Sequence, residues 1–248
     1  MRLRLRIPVL LWAALVVPSA DAAEELVVDL SAPVVAITTG FTGADLLLFG
    51  VTAGEGDVVV VVRGPARDES VRRKERIAGI WVNRDQVTFK QVPSFYTIAA
   101  NRPLVEFLPL EISQDNQIGL ASLDLKAAAS AHDLAQVERF RQALVRNKQR
   151  QGLYGKEPQN LTFLGNRLFR TNINFPANVT VGTYGIDVYL IRDNKLVKWK
   201  TTLMSVRKFG FEAGVFDFAH RHALAYGVLA VLIAAVAGWL GSVIFRRV

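Results

Sequence analysis

The stretch TYGIDVYLIRDNKLVKWKTTLMSVR, residues 183–207, predicts two β-strands joined by a tight turn. Its first half places an apolar side chain at every second position, the period of a strand with one apolar face: Tyr184, Ile186, Val188 and Leu190. Asp193, Asn194 and Lys195 then interrupt the pattern with residues typical of a hairpin turn. This stretch favours an antiparallel sheet over an α/β arrangement.

Short apolar or β-branched runs separated by turn residues recur on the N-terminal side of this hairpin. They fall at Leu26–Leu30, Val34–Ile37 and residues 45–51, 58–63, 80–82, 86–91, 94–100 and 168–175. Such spacing is typical of a β-sandwich. We therefore predict a mainly β fold, an immunoglobulin-like sandwich-type ectodomain.

Residues 121–151 predict one amphipathic helical segment inserted between the strands. An apolar stripe lies beside basic residues along the helix, and Gly152 provides a stop. The stripe contains Leu134, Val137, Phe140, Leu144 and Val145, and the basic residues are Arg139, Arg141, Arg146, Lys148 and Arg150. We expect this helix to pack on the sheet with its charged side in water. The alternative is that it lies on an anionic membrane.

The N-terminus has the pattern of an export signal. Arg2, Arg4 and Arg6 precede an apolar run at residues 7–17, and Ala20-Asp21-Ala22 is a cleavage pattern. We expect cleavage near Ala22 or Ala23, which places the following residues outside the cytoplasm. An uncleaved signal anchor is the alternative.

The C-terminus predicts a membrane span. Ala223–Phe245 carries no charged residue and, at about 1.5 Å per residue, is long enough to cross a bilayer as a helix. Arg246 and Arg247 follow it, so the positive-inside rule places the C-terminus in the cytoplasm. Both ends thus predict a single-pass protein with an exported body.

These signals divide the chain into consecutive parts. Residues 1–23 are the signal peptide, 24–118 and 156–212 the two β-rich parts of the ectodomain, and 119–155 the helical segment. Residues 213–222 form a juxtamembrane segment, 223–245 the transmembrane helix and 246–248 the cytoplasmic tail.

Two groups of residues are candidate contact sites. Small residues recur every fourth position of the span and predict a helix–helix contact, with itself or with another membrane protein: Ala230, Ala234, Gly238 and Ser242. A charged segment at residues 64–76 contains four cations that suit an inorganic anion or a lipid headgroup: Arg72, Arg73, Lys74 and Arg76. The alternative is a solvated loop whose cations pair with Asp68, Glu69 and Glu75.

The sequence contains few residues or motifs that indicate catalysis or metal binding. The chain has no cysteine, and none of the common nucleophile, phosphate-loop, dinucleotide or metalloprotease motifs occurs in it. His220 and His222 are two residues apart, an awkward geometry for one metal ion if that stretch is helical. We predict no enzyme activity, no cofactor and no metal; an envelope-acting enzyme with an unrecognised site and a purely structural component are the alternatives.

The formal net charge of +8 does not indicate a nucleic-acid partner. Five of the arginines lie at the two chain ends, outside the predicted exported body. We therefore expect membrane lipid and another membrane protein as partners instead.

Three stretches resemble a family of transmembrane proteins found mainly in alphaproteobacteria. They are residues 64–83 (GPARDESVRRKERIAGIWVN), 175–196 (FPANVTVGTYGIDVYLIRDNKL) and 216–240 (FDFAHRHALAYGVLAVLIAAVAGWL). The resemblance covers essentially the whole mature chain, and its motifs carry no assigned catalytic or binding residues. It implies a Gram-negative inner membrane with the body in the periplasm, beside a sulfite-exporter-like permease.

Overall fold

The computed structural model describes residues 26–77, 79–128, 133–210 and 218–245. The predicted signal peptide at 1–23 and the cytoplasmic tail at 246–248 lie outside the described residues. So do His132 and residues 213–217, half of the juxtamembrane segment.

The described residues form 13 β-strands and a few helices. The strands are β1 (Leu26–Leu30), β2 (Val34–Ile37), β3 (Gly43–Thr52), β4 (Asp57–Arg63), β5 (Ala66–Ile77), β6 (Ile80–Pro93), β7 (Tyr96–Ala100), β8 (Lys126–Ala127), β9 (Gln159–Asn160), β10 (Thr162–Leu164), β11 (Leu168–Pro176), β12 (Gly182–Arg192) and β13 (Lys195–Lys208). The helices are a 3₁₀ turn at Leu104–Glu106, α1 (Leu110–Asp115), α2 (Leu134–Arg150) and α3 (Ala223–Phe245).

Two sheets contain strands from both β-rich parts of the chain. One has the order β1-β3-β11-β10 and the other β2-β13-β12-β4-β7-β9, in which β2 runs parallel to β13. The predicted mainly β fold is confirmed. The turn between β12 and β13 is also as predicted, because Asp193 and Asn194 have φ angles of 50° and 58°, as a two-residue hairpin turn requires.

Aromatic side chains fill the core where the two sheets meet. The Phe175 ring of β11 lies 5.0 Å from the Phe95 ring and 5.6 Å from the Tyr184 ring of β12, measured between centroids. Contacts at these distances contribute beyond the apolar area that they bury. The alternating face predicted for β12 is therefore the face that joins the sheets.

The central strand β4 is buried on both faces, as all five valines Val58–Val62 are inaccessible. The segment at residues 104–125 adds buried side chains to the same core, among them Phe107 and Ile118. The Tyr96 hydroxyl holds this segment by donating to the Gln117 carbonyl and accepting from the Gly119 N–H, both at 2.8 Å. Burial raises the pKa of Tyr96 to about 12, so the hydroxyl stays protonated at neutral pH.

The charged segment predicted as a loop is a strand. β5 pairs with β6 over most of its length, and β6 joins two runs predicted as separate strands. Prolonged pairing is possible because backbone hydrogen bonds carry it, and charged side chains suit an edge strand. Sequence alternation did not predict it because Val71 is the one buried apolar residue in β5.

This β5–β6 hairpin continues the β4–β7 pair without a break. The Gly64 N–H donates to the Phe95 carbonyl at 2.8 Å, and the Ser94 N–H donates to the Pro65 carbonyl at 3.0 Å. A Cβ atom on Gly64 would lie 2.6 Å from the Ser94 hydroxyl oxygen, so glycine permits this close approach. One antiparallel ribbon therefore runs from the sandwich to the hairpin turn.

The predicted helical segment is shorter than expected. α2 covers Leu134–Arg150, whereas Lys126–Ala127 form β8 at the edge of β6. Phe140 and Leu144 of the predicted stripe are buried, but Leu134 is 85% exposed. The stripe thus contacts the hairpin through its central residues.

Candidate functional site

A groove between β5 and α2 collects five cations. It has a volume of about 340 Å³, and Val71 and Phe140 contribute apolar side chains to its lining. We call it the basic groove and define it by Arg72, Arg73, Lys74, Arg139 and Arg146. Three of the four cations predicted as an anion site lie here, together with two from the helix.

Local structure explains why these side chains share one groove. Arg139 and Arg146 are about two helical turns apart and so lie on the same side of α2. On β5, the register with β6 shifts between Arg73 and Lys74. Such an irregularity interrupts strict alternation and re-aims side chains, which brings consecutive residues of the strand to the groove.

Most of the positive charge in the basic groove is not neutralised. Arg73 pairs with Asp85 at 2.9 Å, and Arg72 donates to the Gln86 side chain at 2.8 Å. Among the described residues, no carboxylate forms an ion pair with Arg72, Lys74, Arg139 or Arg146. The groove therefore presents several charge-assisted donors to solvent.

The three acidic residues of the charged segment bind cations elsewhere. Asp68 pairs with Lys90 at 2.5 Å, and a hydrogen bond from this lysine lowers the pKa of the Asp68 carboxyl. Glu75 accepts from Arg84 at 2.9 Å and approaches Arg73 only to 3.9 Å. These acidic residues therefore neutralise mainly cations that lie outside the basic groove.

The third acid, Glu69, fastens the helix to the hairpin. Lys148 of α2 donates to its carboxylate at 2.6 Å, and Lys148 is only 7% exposed. The sequence pattern does not predict this pair. The available signal was the spacing, because Lys148 follows Phe140 and Leu144 at four-residue intervals and thus lies on the apolar side of α2.

The remaining candidate residues lie away from the basic groove. Arg76 donates to the Gly79 carbonyl at 3.2 Å near the end of the hairpin. The stretch before α3 is helical where it is described, because the His222 N–H donates to the Phe218 carbonyl at 2.9 Å. No metal-binding cluster of three or more His, Cys, Asp or Glu side chains occurs in the described ranges.

A second groove lies against the sheet that contains β11. Its volume is about 620 Å³, and its lining is mainly neutral and polar: Leu47, Gln159, Asn160, Thr162, Arg170, Thr171, Asn172 and Asn174. With one cation in this lining, it does not concentrate charge as the basic groove does.

Helix α3 has the length and composition of a membrane span. It covers 23 residues, and within the part of the chain that the structure describes it is the one helix that meets these criteria. The apolar side chains of residues 223–240 are not buried inside the protein. Ala230, Ala234, Gly238 and Ser242 lie on successive turns of it, and their role in a helix contact stays a prediction.

Comparison with protein families gives one match. The model of the family described as "Putative transmembrane protein (Alph_Pro_TM)" matches residues 25–247, nearly the whole chain after the predicted signal peptide. A search of the curated proteins gives no match.

Proposed function

The chain belongs to this transmembrane family, and from that premise we propose a single-span inner-membrane protein with a periplasmic, anion-binding accessory domain. The anion occupies the basic groove. The partner is an anion permease of the sulfite-exporter type.

The observation that carries this proposal is the excess of positive charge in the basic groove. Arg139 and Arg146 from the helix face Arg72 and Lys74 from the strand across a space of about 340 Å³. Guanidinium groups donate two parallel hydrogen bonds to oxyanions such as sulfite, sulfate or phosphate. The volume exceeds what one such ion needs, so water or part of a larger anion shares the groove.

The strand order supports an immunoglobulin-like domain. In that fold, strands A, B, E and D form one sheet and C, F and G the other. The order β1-β3-β11-β10 corresponds to the first sheet, and the order β13-β12-β4 corresponds to G, F and C. Such sandwiches serve many unrelated functions, so the groove and not the fold carries the functional argument.

The orientation follows from charge at the ends of the span. Arg246 and Arg247 come directly after α3 and favour the cytoplasmic side. The export signal at residues 1–23 favours the opposite side for the body. A cleaved signal and a cytoplasmic tail together give one crossing.

Sulfate titration of the full chain in a neutral detergent tests the anion site. At constant ionic strength set with chloride, sulfate at a hundred times its Kd is expected to stabilise the fold by about 2.7 kcal/mol. The double variant Arg139→Gln/Arg146→Gln removes two of the unpaired cations. We expect it to lose this gain, measured as the shift in Tm.

The matched control is Lys195→Gln/Lys198→Gln, which removes the same charge from exposed positions of β13. Sulfate also stabilises proteins by general exclusion from their surface, and that contribution is the same in both variants. If the two double variants respond to sulfate like the wild type, the basic groove is not an anion site.

The small residues of α3 are the proposed contact with a membrane partner. Ala234→Ile/Gly238→Ile places bulk where helices approach closely and is expected to weaken association by about tenfold. A membrane two-hybrid assay against a second copy measures self-association, and co-purification with the permease measures the other contact. Ala225→Ile/Val236→Ile, on the opposite side of α3, is the control. Unchanged association in both assays removes the helix contact from the proposal.

A further inference from the structure

The end of the β5–β6 hairpin exposes large apolar side chains. Ile77, Ile80, Trp81 and Val82 are 51%, 68%, 66% and 37% exposed, respectively. We call these four residues the hairpin tip. Apolar side chains grouped in this way at the end of a projecting element indicate a binding surface.

Cations surround the hairpin tip. Arg76 lies opposite Trp81 in the strand pairing, and Lys74 lies two residues further from the turn. Arg84 follows on β6 and pairs with Glu75, an exposed pair that keeps its charges near the surface. An apolar end with a basic collar matches an anionic lipid surface, where apolar groups enter the interface and cations bind phosphates.

The hairpin projects from the end of the sandwich where the chain leaves for the span. β4 and β13 both run antiparallel to β12, so they point in the same direction. Beyond β4 the chain continues into the hairpin, and beyond β13 it continues to α3. The base of the hairpin lies beside the start of β12, because a Cβ atom on Gly182 would lie 2.8 Å from the Pro65 ring.

Lengths along the chain are compatible with contact between the tip and the same membrane. The hairpin strand of 12 residues extends about 36 Å at 3.3 Å per residue. Residues 209–222 link β13 to the span. With 209–217 fully extended and 218–222 helical, they reach at most about 40 Å. The linker is therefore long enough to hold the β-rich body above the membrane by the length of the hairpin.

We propose that the hairpin tip inserts into the headgroup layer of anionic phospholipid in the membrane that α3 crosses. The apolar side chains enter the interface, where tryptophan is favoured, and Lys74 and Arg76 bind lipid phosphates. The domain is then held at two points, the linker and the tip, with the basic groove close to the lipid surface. The proposal rests on the membrane span. It shares Lys74 with the basic groove, but the apolar side chains of the hairpin tip take no part in anion binding there.

Fluorescence of Trp81 in the reconstituted full chain tests the insertion. The background Trp12→Phe/Trp199→Phe/Trp239→Phe leaves Trp81 as the sole tryptophan. In vesicles with phosphatidylglycerol, we expect chain-brominated lipid to quench its emission about twofold and iodide to quench it less than in phosphatidylcholine vesicles, as for an interfacial side chain. In the same background, Ile77→Ser/Ile80→Ser is expected to abolish quenching by lipid.

The matched control Val105→Ser/Leu110→Ser removes two exposed apolar side chains elsewhere and is expected to leave the quenching unchanged. Trp81 that stays open to iodide and is not quenched by brominated lipid overturns the proposal. Protection from iodide without quenching by lipid also overturns it, because a protein surface such as a second copy then covers the tip. Far-ultraviolet circular dichroism of each variant verifies that the fold is retained.

Discussion

Phe175→Ala is expected to lower the free energy of unfolding by about 3–5 kcal/mol, the range for removing a large aromatic side chain from a packed core. Phe175 is 2% exposed, and its ring contacts Phe95 and Tyr184 where the two sheets meet. The variant leaves a cavity that two sheets cannot close without moving relative to each other. Urea unfolding in mild detergent, followed by near-ultraviolet circular dichroism, measures the loss.

Phe49→Ala is the control for this first prediction. Phe49 lies on β3, which pairs with β11, but its side chain is 37% exposed. Its removal is expected to cost about 1 kcal/mol or less because a surface site leaves no cavity. Equal losses for the two variants would contradict the description of the core.

Lys148→Met is expected to cost about 2–3 kcal/mol and to weaken the sulfate response as well. The substitution keeps the aliphatic contacts but leaves the Glu69 carboxylate without its cation. Breaking a buried pair costs about 3–5 kcal/mol, and the 32% exposure of the Glu69 side chain reduces this figure. Loss of the pair between Lys148 and Glu69 also frees α2 from β5, which widens the basic groove.

A double-mutant cycle separates this pair from general damage. Lys148→Met/Glu69→Gln removes both charges, and it is expected to recover about 1–2 kcal/mol relative to Lys148→Met alone. Additive losses in the cycle would show that the two side chains do not stabilise the fold as a pair. The sulfate titration of the same variants reports whether anion binding in the basic groove depends on the pair between Lys148 and Glu69.

Sequence alternation predicted the strands that pack on one face and failed where packing does not impose a period. β1, β2 and β12 alternate or carry β-branched residues because one face meets the core, and their bounds were predicted to within a residue. β5 has charged side chains on both faces and one buried apolar residue, Val71, so its main constraint is backbone pairing with β6. Side-chain patterns cannot report such a constraint.

The basic groove was predictable only in its separate parts. The cations of β5 and those of α2 were each visible in the sequence, but their meeting depends on the packing of α2 against β5. That contact joins residues far apart in the chain. The sequence places Lys148 among the basic residues of the helix, and periodicity alone does not show that Glu69 lies opposite it.

The pairing of β2 with β13 sets an order of events during biogenesis. β2 is among the first strands to be synthesised, yet its partner ends at Lys208, shortly before the span. Contacts between distant parts of a chain are slow to form because loop closure must be achieved first. Synthesis has to deliver nearly all of the strands before this sheet can close, so a chain arrested within β13 would remain open to proteases and chaperones.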